Sequence, residues 1–182
     1  MLILLSGPVG SGKTTLCWRS VVVARERGIQ VSGVLTPALV EGNRKVGIRA
    51  VDLRSGEERL LARNDRDLGG TRVGQYAFDD RTLDWMASLC EDALTGGTLT
   101  SGALVFVDEI GRLELNRRRG LARLIPLFCQ LRDGHTVVLV RDTLLDHLVA
   151  RIQPVVPRFL FLDAERRAAS WSEMQSLLFS QG

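Results

Sequence analysis

Lysine is almost missing from this chain: of 24 basic residues among 182, 22 are arginine, and Lys13 and Lys45 are the two lysines. Cysteine is scarce as well. Cys17, Cys90 and Cys129 are odd in number and widely spaced, which excludes a disulfide-stapled framework and predicts reduced, mostly buried thiols of a cytosolic protein. The two histidines, His135 and His147, have no neighbouring ligands at metal spacing, so a zinc-type centre is excluded. Internal repeats, low-complexity stretches and long linkers are missing too, and a single domain over 1–182 is expected. No apolar run is long enough to span a bilayer, and the first residues lack the charged lead-in and cleavage site of a signal peptide. Neither membrane attachment nor export is expected, and a cytoplasmic location follows. A net charge of +3 is too small to indicate nucleic acid by itself, while the isoelectric point of about 9.1 leaves that partner class open.

What remains is ordinary for a soluble globular domain, 45% apolar and 25% charged, except at its start. Leu2–Ser6 is a short apolar run that feeds Gly7-Pro8-Val9-Gly10-Ser11-Gly12-Lys13-Thr14-Thr15. Gly7, four residues, then Gly12-Lys13-Thr14 fits the P-loop pattern, a cradle for a nucleoside triphosphate such as ATP or GTP. Its glycines free the backbone so that successive amide N–H groups converge on phosphate oxygens. Lys13 is predicted to sit against the β- and γ-phosphates, the Thr14 hydroxyl on Mg²⁺, and Thr15 towards the α-phosphate. Lysine persists here, in a chain that otherwise uses arginine, because a compact and flexible ammonium suits a phosphate.

Strand and helix patterns alternate over much of the length, which predicts an α/β layer structure with a mostly parallel sheet. Thr15–Gly28 reads as the first helix. Gln30–Thr36, Val46–Leu53 and Glu58–Ala62, with turn composition at Glu41–Arg44, predict an antiparallel hairpin excursion near residues 30–62. Residues 64–71 read as a mobile polar loop. A helical stripe follows over Asp79–Leu94, with Asp79 or Asp80 as N-cap, and Gly96–Gly102 then punctuates. Ala103–Val107 is a fully apolar strand. Leu121–Leu131, Thr143–Ile152 and Ala164–Phe179 are expected to be helices, and Thr136–Val140 and Phe159–Leu162 strands. Trp18, Trp85 and Trp171 fall within helical segments and are assigned to core or interface.

A P-loop holds a triphosphate but needs a metal-organising carboxylate and a group that activates water. Leu104–Val107 forces a buried strand, and Asp108-Glu109 at its carboxyl end lies where open α/β sheets place their ligands. Asp108 is the predicted partner of the Mg²⁺ site and Glu109 the group that deprotonates or orients the attacking water.

From there the chain runs Asp108-Glu109-Ile110-Gly111-Arg112-Leu113-Glu114-Leu115, which closely resembles the signature of the small THEP1-type nucleoside-triphosphatases. The loop at 7–15, Ser32–Thr36, Val46-Gly47, Val51–Leu53 and Arg72–Tyr76 resemble further segments of that family, and Asp163–Arg167 resembles a Thr-x-Glu-Asn-Arg element. The resemblance implies a P-loop NTPase three-layer sandwich, Mg²⁺ dependence and slow hydrolysis of several nucleoside triphosphates to diphosphates. It counts Gly111 with the nucleotide-binding positions. The chain departs from the family at Pro37–Val40, which replaces an acidic and basic run, at Arg141-Asp142-Thr143, which lacks a proline-containing turn, and at Arg166, where asparagine is usual.

Further candidates carry two readings each. Arg72 follows a Gly-Gly-Thr loop and is placed either over the γ-phosphate as a stabilising arginine or in a surface salt bridge. Arg167 borders the nucleobase or sits in a solvated first helical turn, and Arg141 stands at a ligand-facing strand end. The spacing of Glu114 assigns it no task. Two alternatives to a hydrolase stand beside this reading. One is a small-molecule kinase with an arginine-bearing lid over 55–72 (Arg59, Arg63, Arg66). The other is a nucleotide-controlled binding module that uses Arg112 and Arg117–Arg119.

Overall fold

A computed structural model describes residues 1–96, 102–130, 134–163, 165 and 167–179. Strand β1 (Leu2–Gly7) is buried at every position because its apolar side chains serve two cores: Ile3 and Leu5 enter one, Leu2 and Leu4 the other. β1 runs parallel between β9 (His135–Arg141) and β10 (Arg158–Phe161). β8 (Leu104–Ile110) pairs parallel with β9 on one side and with β2 (Val31–Leu35) on the other. On one face, α1 (Lys13–Glu26) and α5 (Arg167–Phe179) lay Leu16, Val21, Met174 and Leu178 against Leu5, Phe106 and Leu139. The other face is covered by α2 (Asp80–Thr95), α3 (Arg112–Arg117), a 3₁₀ segment over Gly120–Gln130, and α4 (Leu145–Arg151). The result is the three-layer α/β sandwich expected of a P-loop protein.

The antiparallel excursion is larger than its sequence pattern. β4 (Arg44–Asp52) pairs with β2 only through Asp52 and Val51, opposite Val34 and Leu35. Its remaining length therefore rises past the carboxyl end of β2. β3 (Ala38–Glu41) pairs with it across the Glu41–Arg44 turn, β5 (Glu58–Arg63) flanks its other side, and β7 (Tyr76–Phe78) and β6 (Arg72–Val73) complete the extension. Polar residues 64–71 form no regular element but are tied down: Asn64 Nδ2 donates to Lys45 O (3.1 Å) and Thr71 N–H to Asp80 Oδ1 (2.9 Å). The arginine lid is not formed. Arg59 lies over the Trp85 ring, 4.3 Å from its centroid, and Arg63 is clamped between Glu41 and Asp65 (2.7 and 2.6 Å).

Other boundaries shifted for local reasons. The segment expected as a helix over Leu121–Leu131 is a 3₁₀ helix, and it contains Pro126, which has no N–H for an α-helical ladder. Asp142–Leu144 likewise makes a 3₁₀ turn before α4. Asp79 caps α2 by accepting from Thr82 N–H (2.9 Å). Residues 97–101 of the punctuating stretch, Leu131, Ala164 and Arg166 lie outside the described residues. Cys17 and Cys90 are buried as expected, whereas Cys129 is exposed. Trp18, assigned to core or interface, is 41% exposed. No described helix is long and apolar enough to cross a membrane.

Candidate active site

The loop between β1 and α1 is built by close approach and by backbone handedness. A Cβ on Gly7 would lie 2.1 Å from the Leu162 carbonyl oxygen, so only glycine lets the segment after β10 pack against the loop's start. Gly12 has φ +102° and caps α1 in the left-handed region. The first-turn N–H groups of α1 thus face the loop's hollow, a setting that favours an anion. Lys13 is buried there and donates from Nζ to the carbonyls of Gly7 (2.7 Å) and Pro8 (2.9 Å). Burial lowers its pKa, and the nearby Glu109 and Asp108 oppose that shift. Beside it, Ser11 Oγ is buried without a hydrogen-bond partner, a donor suited to a phosphate oxygen.

Three elements converge on one carboxylate oxygen. Asp108, on β8 and 3% exposed, accepts through Oδ2 from Thr14 Oγ1 of α1 (3.0 Å) and from the Thr36 N–H after β2 (2.9 Å). Burial, then the adjacent Glu109 charge, push its pKa up to about 6, while the Thr36 and Thr14 bonds resist. A hydroxyl and a carboxylate meeting this way are hard oxygen donors, the set a Mg²⁺ ion takes when phosphates complete its shell. Among the described residues no group of three or more His, Cys, Asp or Glu could hold a metal, so phosphate oxygens would have to supply much of any coordination.

Glu109 takes a separate partner. Pairing of β8 with β9 shifts between Val107 and Ile110, and the Glu109 Oε1 accepts from Arg141 Nε at the end of β9 (2.5 Å). The adjacent acids therefore address different groups, one the Thr14 hydroxyl and the other a guanidinium.

Above these residues lies a cavity of about 770 Å³. Its inner end is lined by Gly10, Gly12, Lys13, Thr14, Asp108, Glu109 and Arg141. Its outer part, bounded by the raised wall of β4, β5 and β7 and by α2, is lined by Ile48, Leu61, Tyr76, Phe78 and Met86. Val9, Thr15, Trp18 and Gly111 also line the cavity; Arg72 and Arg167 do not. Arg72 is turned away to Asp67 (2.7 Å), 62% exposed, and its carbonyl accepts from Arg117. Its surface salt bridge is the placement observed; Arg141 is the arginine that reaches Glu109. Arg167 is exposed at the start of α5, on the side where Leu162 meets Gly7. The outer wall went unread in the sequence because Ile48, Leu61 and Phe78 look like ordinary strand-face residues; the one available signal was Lys45, the second lysine.

Glu114, unassigned by its spacing, is a buried organiser of the chain after the acidic pair. It is 4% exposed and accepts from the Gly111 N–H (2.8 Å) and the Leu121 N–H (3.4 Å). Burial raises its pKa to about 7 against the pull of those bonds. A carboxyl raised in the folded state binds its proton more tightly there. Its stabilising contribution is complete below the unfolded value near 4.5 and is lost as pH climbs through about 7. Glu114→Gln, neutral throughout, is expected to gain in relative stability as pH goes from 5 to 8. Denaturant midpoints of variant and wild type at both pH values check this; a pH-independent difference would contradict it.

The comparisons with known proteins agree with this geometry. The model of the NTPase family matches residues 2–173. The nucleoside-triphosphatase THEP1 of Methanopyrus kandleri is 37% identical over 113 residues, 62% of this chain and 59% of that protein. That of Caldivirga maquilingensis is 33% identical over 66% of this chain and 65% of its own length. The matched stretch thus spans under two thirds of these curated relatives. Among solved structures, THEP1 from Aquifex aeolicus superposes with a TM-score of 0.70 at 19% identity over 98% of this chain and 99% of that one. A human cancer-related nucleoside triphosphatase gives 0.73 at 23% identity, over 99% and 98%. Both share the fold. With a family match over nearly its whole length, on a P-loop sandwich whose loop threonine meets a buried aspartate, the chain belongs to the THEP1-type NTPase family.

Proposed function

We propose that this chain is a Mg²⁺-dependent nucleoside triphosphatase that converts ATP, GTP and related triphosphates to diphosphate and phosphate in the cytoplasm. The observation that carries the reading is the convergence of Thr14 Oγ1 and the Thr36 N–H on Asp108 beneath the Lys13 loop, with Glu109 as its immediate neighbour. In this reading the triphosphate takes the loop N–H groups and the Ser11 hydroxyl. Lys13 exchanges the Gly7 and Pro8 carbonyls for phosphate oxygens. Thr14 and Asp108 would hold Mg²⁺, which when bound supplies charge neutralisation on the transferring phosphoryl group. Glu109, oriented by Arg141, accepts a proton from water as its oxygen attacks the γ-phosphorus in line. The bond to the β,γ-bridging oxygen breaks, and the diphosphate leaves.

The nucleoside end is assigned to the opposite side of the loop, where Leu162 abuts Gly7 and Arg167 begins α5. Slow turnover is part of the proposal. Arg141 and Arg72 are both ion-paired within the chain, and a P-loop enzyme without a committed arginine on the transition state hydrolyses slowly. Phosphate release is expected from ATP, GTP, CTP and UTP alike, lost with a chelator and restored by Mg²⁺. Failure to release phosphate from any of them would sink the assignment.

A further inference from the structure

The cavity extends well beyond the space a triphosphate tail takes. The nucleoside of the bound triphosphate is placed above by Leu162 and Arg167, and neither residue lines the cavity. Cavities of this size, about 770 Å³, accommodate a whole small molecule. Its outer part then faces the γ-phosphate end with Asp108 and Glu109 between.

The chemistry of that outer part is selective. Aromatic residues are 5% of the chain and tyrosine occurs once, yet Tyr76 and Phe78, both on β7, line this part of the cavity. Aliphatic Ile48, Leu61 and Met86 flank them. Such walls take the faces of a flat ring. Polar groups are also at hand. Among the described residues the Gln75 amide makes no side-chain hydrogen bond, and Arg49 Nε is buried with no partner although Arg49 Nη1 pairs with Glu58 (2.6 Å). Lys45, whose Nζ lies 5.6 Å from the Tyr76 ring centroid, stands over the outer rim. At the inner end Asp108 and Glu109 stand beside Lys13 and Arg141, and Glu109 is paired with Arg141. A neutral hydroxyl reaching this end meets in Glu109 a carboxylate that can take its proton.

We propose that this outer compartment is an acceptor site for a nucleoside, and that the chain transfers the γ-phosphoryl group to it in competition with water. The inference rests on the triphosphate-binding reading above. A hydroxyl oxygen of the nucleoside attacks the γ-phosphorus and its proton passes to the Glu109 carboxylate. The bond between the γ-phosphorus and the β,γ-bridging oxygen breaks, and its electron pair leaves with the nucleoside diphosphate. The acceptor departs as its monophosphate ester, so hydrolysis is what the same site does when water stands in the acceptor's place.

The test follows the label from γ-labelled ATP, with Mg²⁺ and the full chain, in the presence of each common ribo- and deoxyribonucleoside. Labelled nucleoside monophosphate that rises saturably with at least one nucleoside is expected, at the expense of labelled phosphate. Tyr76→Ala should lower the ratio of transfer to hydrolysis about tenfold, the scale of one lost base–aromatic stack. Should that variant fail to fold, the partition of label in the wild type decides alone. Label confined to inorganic phosphate with every nucleoside, while hydrolysis proceeds, overturns the acceptor site and leaves the hydrolase standing. Label in monophosphate without free phosphate supports the acceptor site and removes the hydrolase reading. Neither product overturns both.

Discussion

Replacing Lys13 by alanine is expected to reduce triphosphate turnover by about 10²–10³-fold, the scale on which one preorganised donor to developing charge is lost. Binding should weaken with it. The ammonium is buried and held by the Gly7 and Pro8 carbonyls, so the loop already points its charge where phosphate oxygens would arrive. Alanine leaves those two carbonyls directed into an anion site with no cation to offset them. Lys13→Arg is the sharper variant. It keeps the charge but brings a planar fork into a hollow shaped around a point ammonium, and it is expected to rescue little. Nucleotide affinity by calorimetry and phosphate release, measured on both variants, check the result. Wild-type values for Lys13→Ala would refute the loop's assignment, and full rescue by arginine would show that charge alone suffices.

Glu109→Gln is expected to keep nucleotide binding while turnover falls by about 10²–10⁴-fold, the usual contribution of a positioned general base. The separation of the two acids underlies this. Asp108 is engaged with Thr14 and Thr36, whereas Glu109 is paired with the Arg141 guanidinium. The amide can still accept from Arg141, so the geometry should survive while proton acceptance is lost. Single-turnover phosphate release alongside binding of a labelled triphosphate separates the two effects. Unaffected release would remove Glu109 from the chemistry, and a parallel loss of binding would mark it as structural.

Much of the site is legible in the sequence because its parts are local. Gly7–Thr15 is one uninterrupted segment, and Asp108-Glu109 sits at the end of four apolar residues that can only be a buried strand. The α/β order could be read for the same reason, since β1, β8 and β9 each carry a run of four apolar residues. What escaped depends on long-range pairing. The raised wall exists because β4 meets β2 through only two residue pairs and then overshoots it, a register that no local pattern encodes. Arg72 and Arg141 looked alike as arginines near strand or loop ends. Which one reaches Glu109 is decided by β9 lying next to β8, while Arg72 has Asp67 five residues away to satisfy it. Pro126 was the readable warning that residues 120–130 would not form a regular α-helix.

The position of β1 has a consequence for how the molecule is made. β1 is paired on both sides by strands far along the sequence from it, β9 and β10, and its terminal glycine is packed against the carbonyl of Leu162. The P-loop therefore cannot be braced until β9 and β10 have been synthesised, and closing those distant pairings is a slow, non-local step. The segment at 7–15 carries the sequence of a nucleotide cradle but gains the cradle itself when those distant strands close on it, so nucleotide binding reports on completed folding.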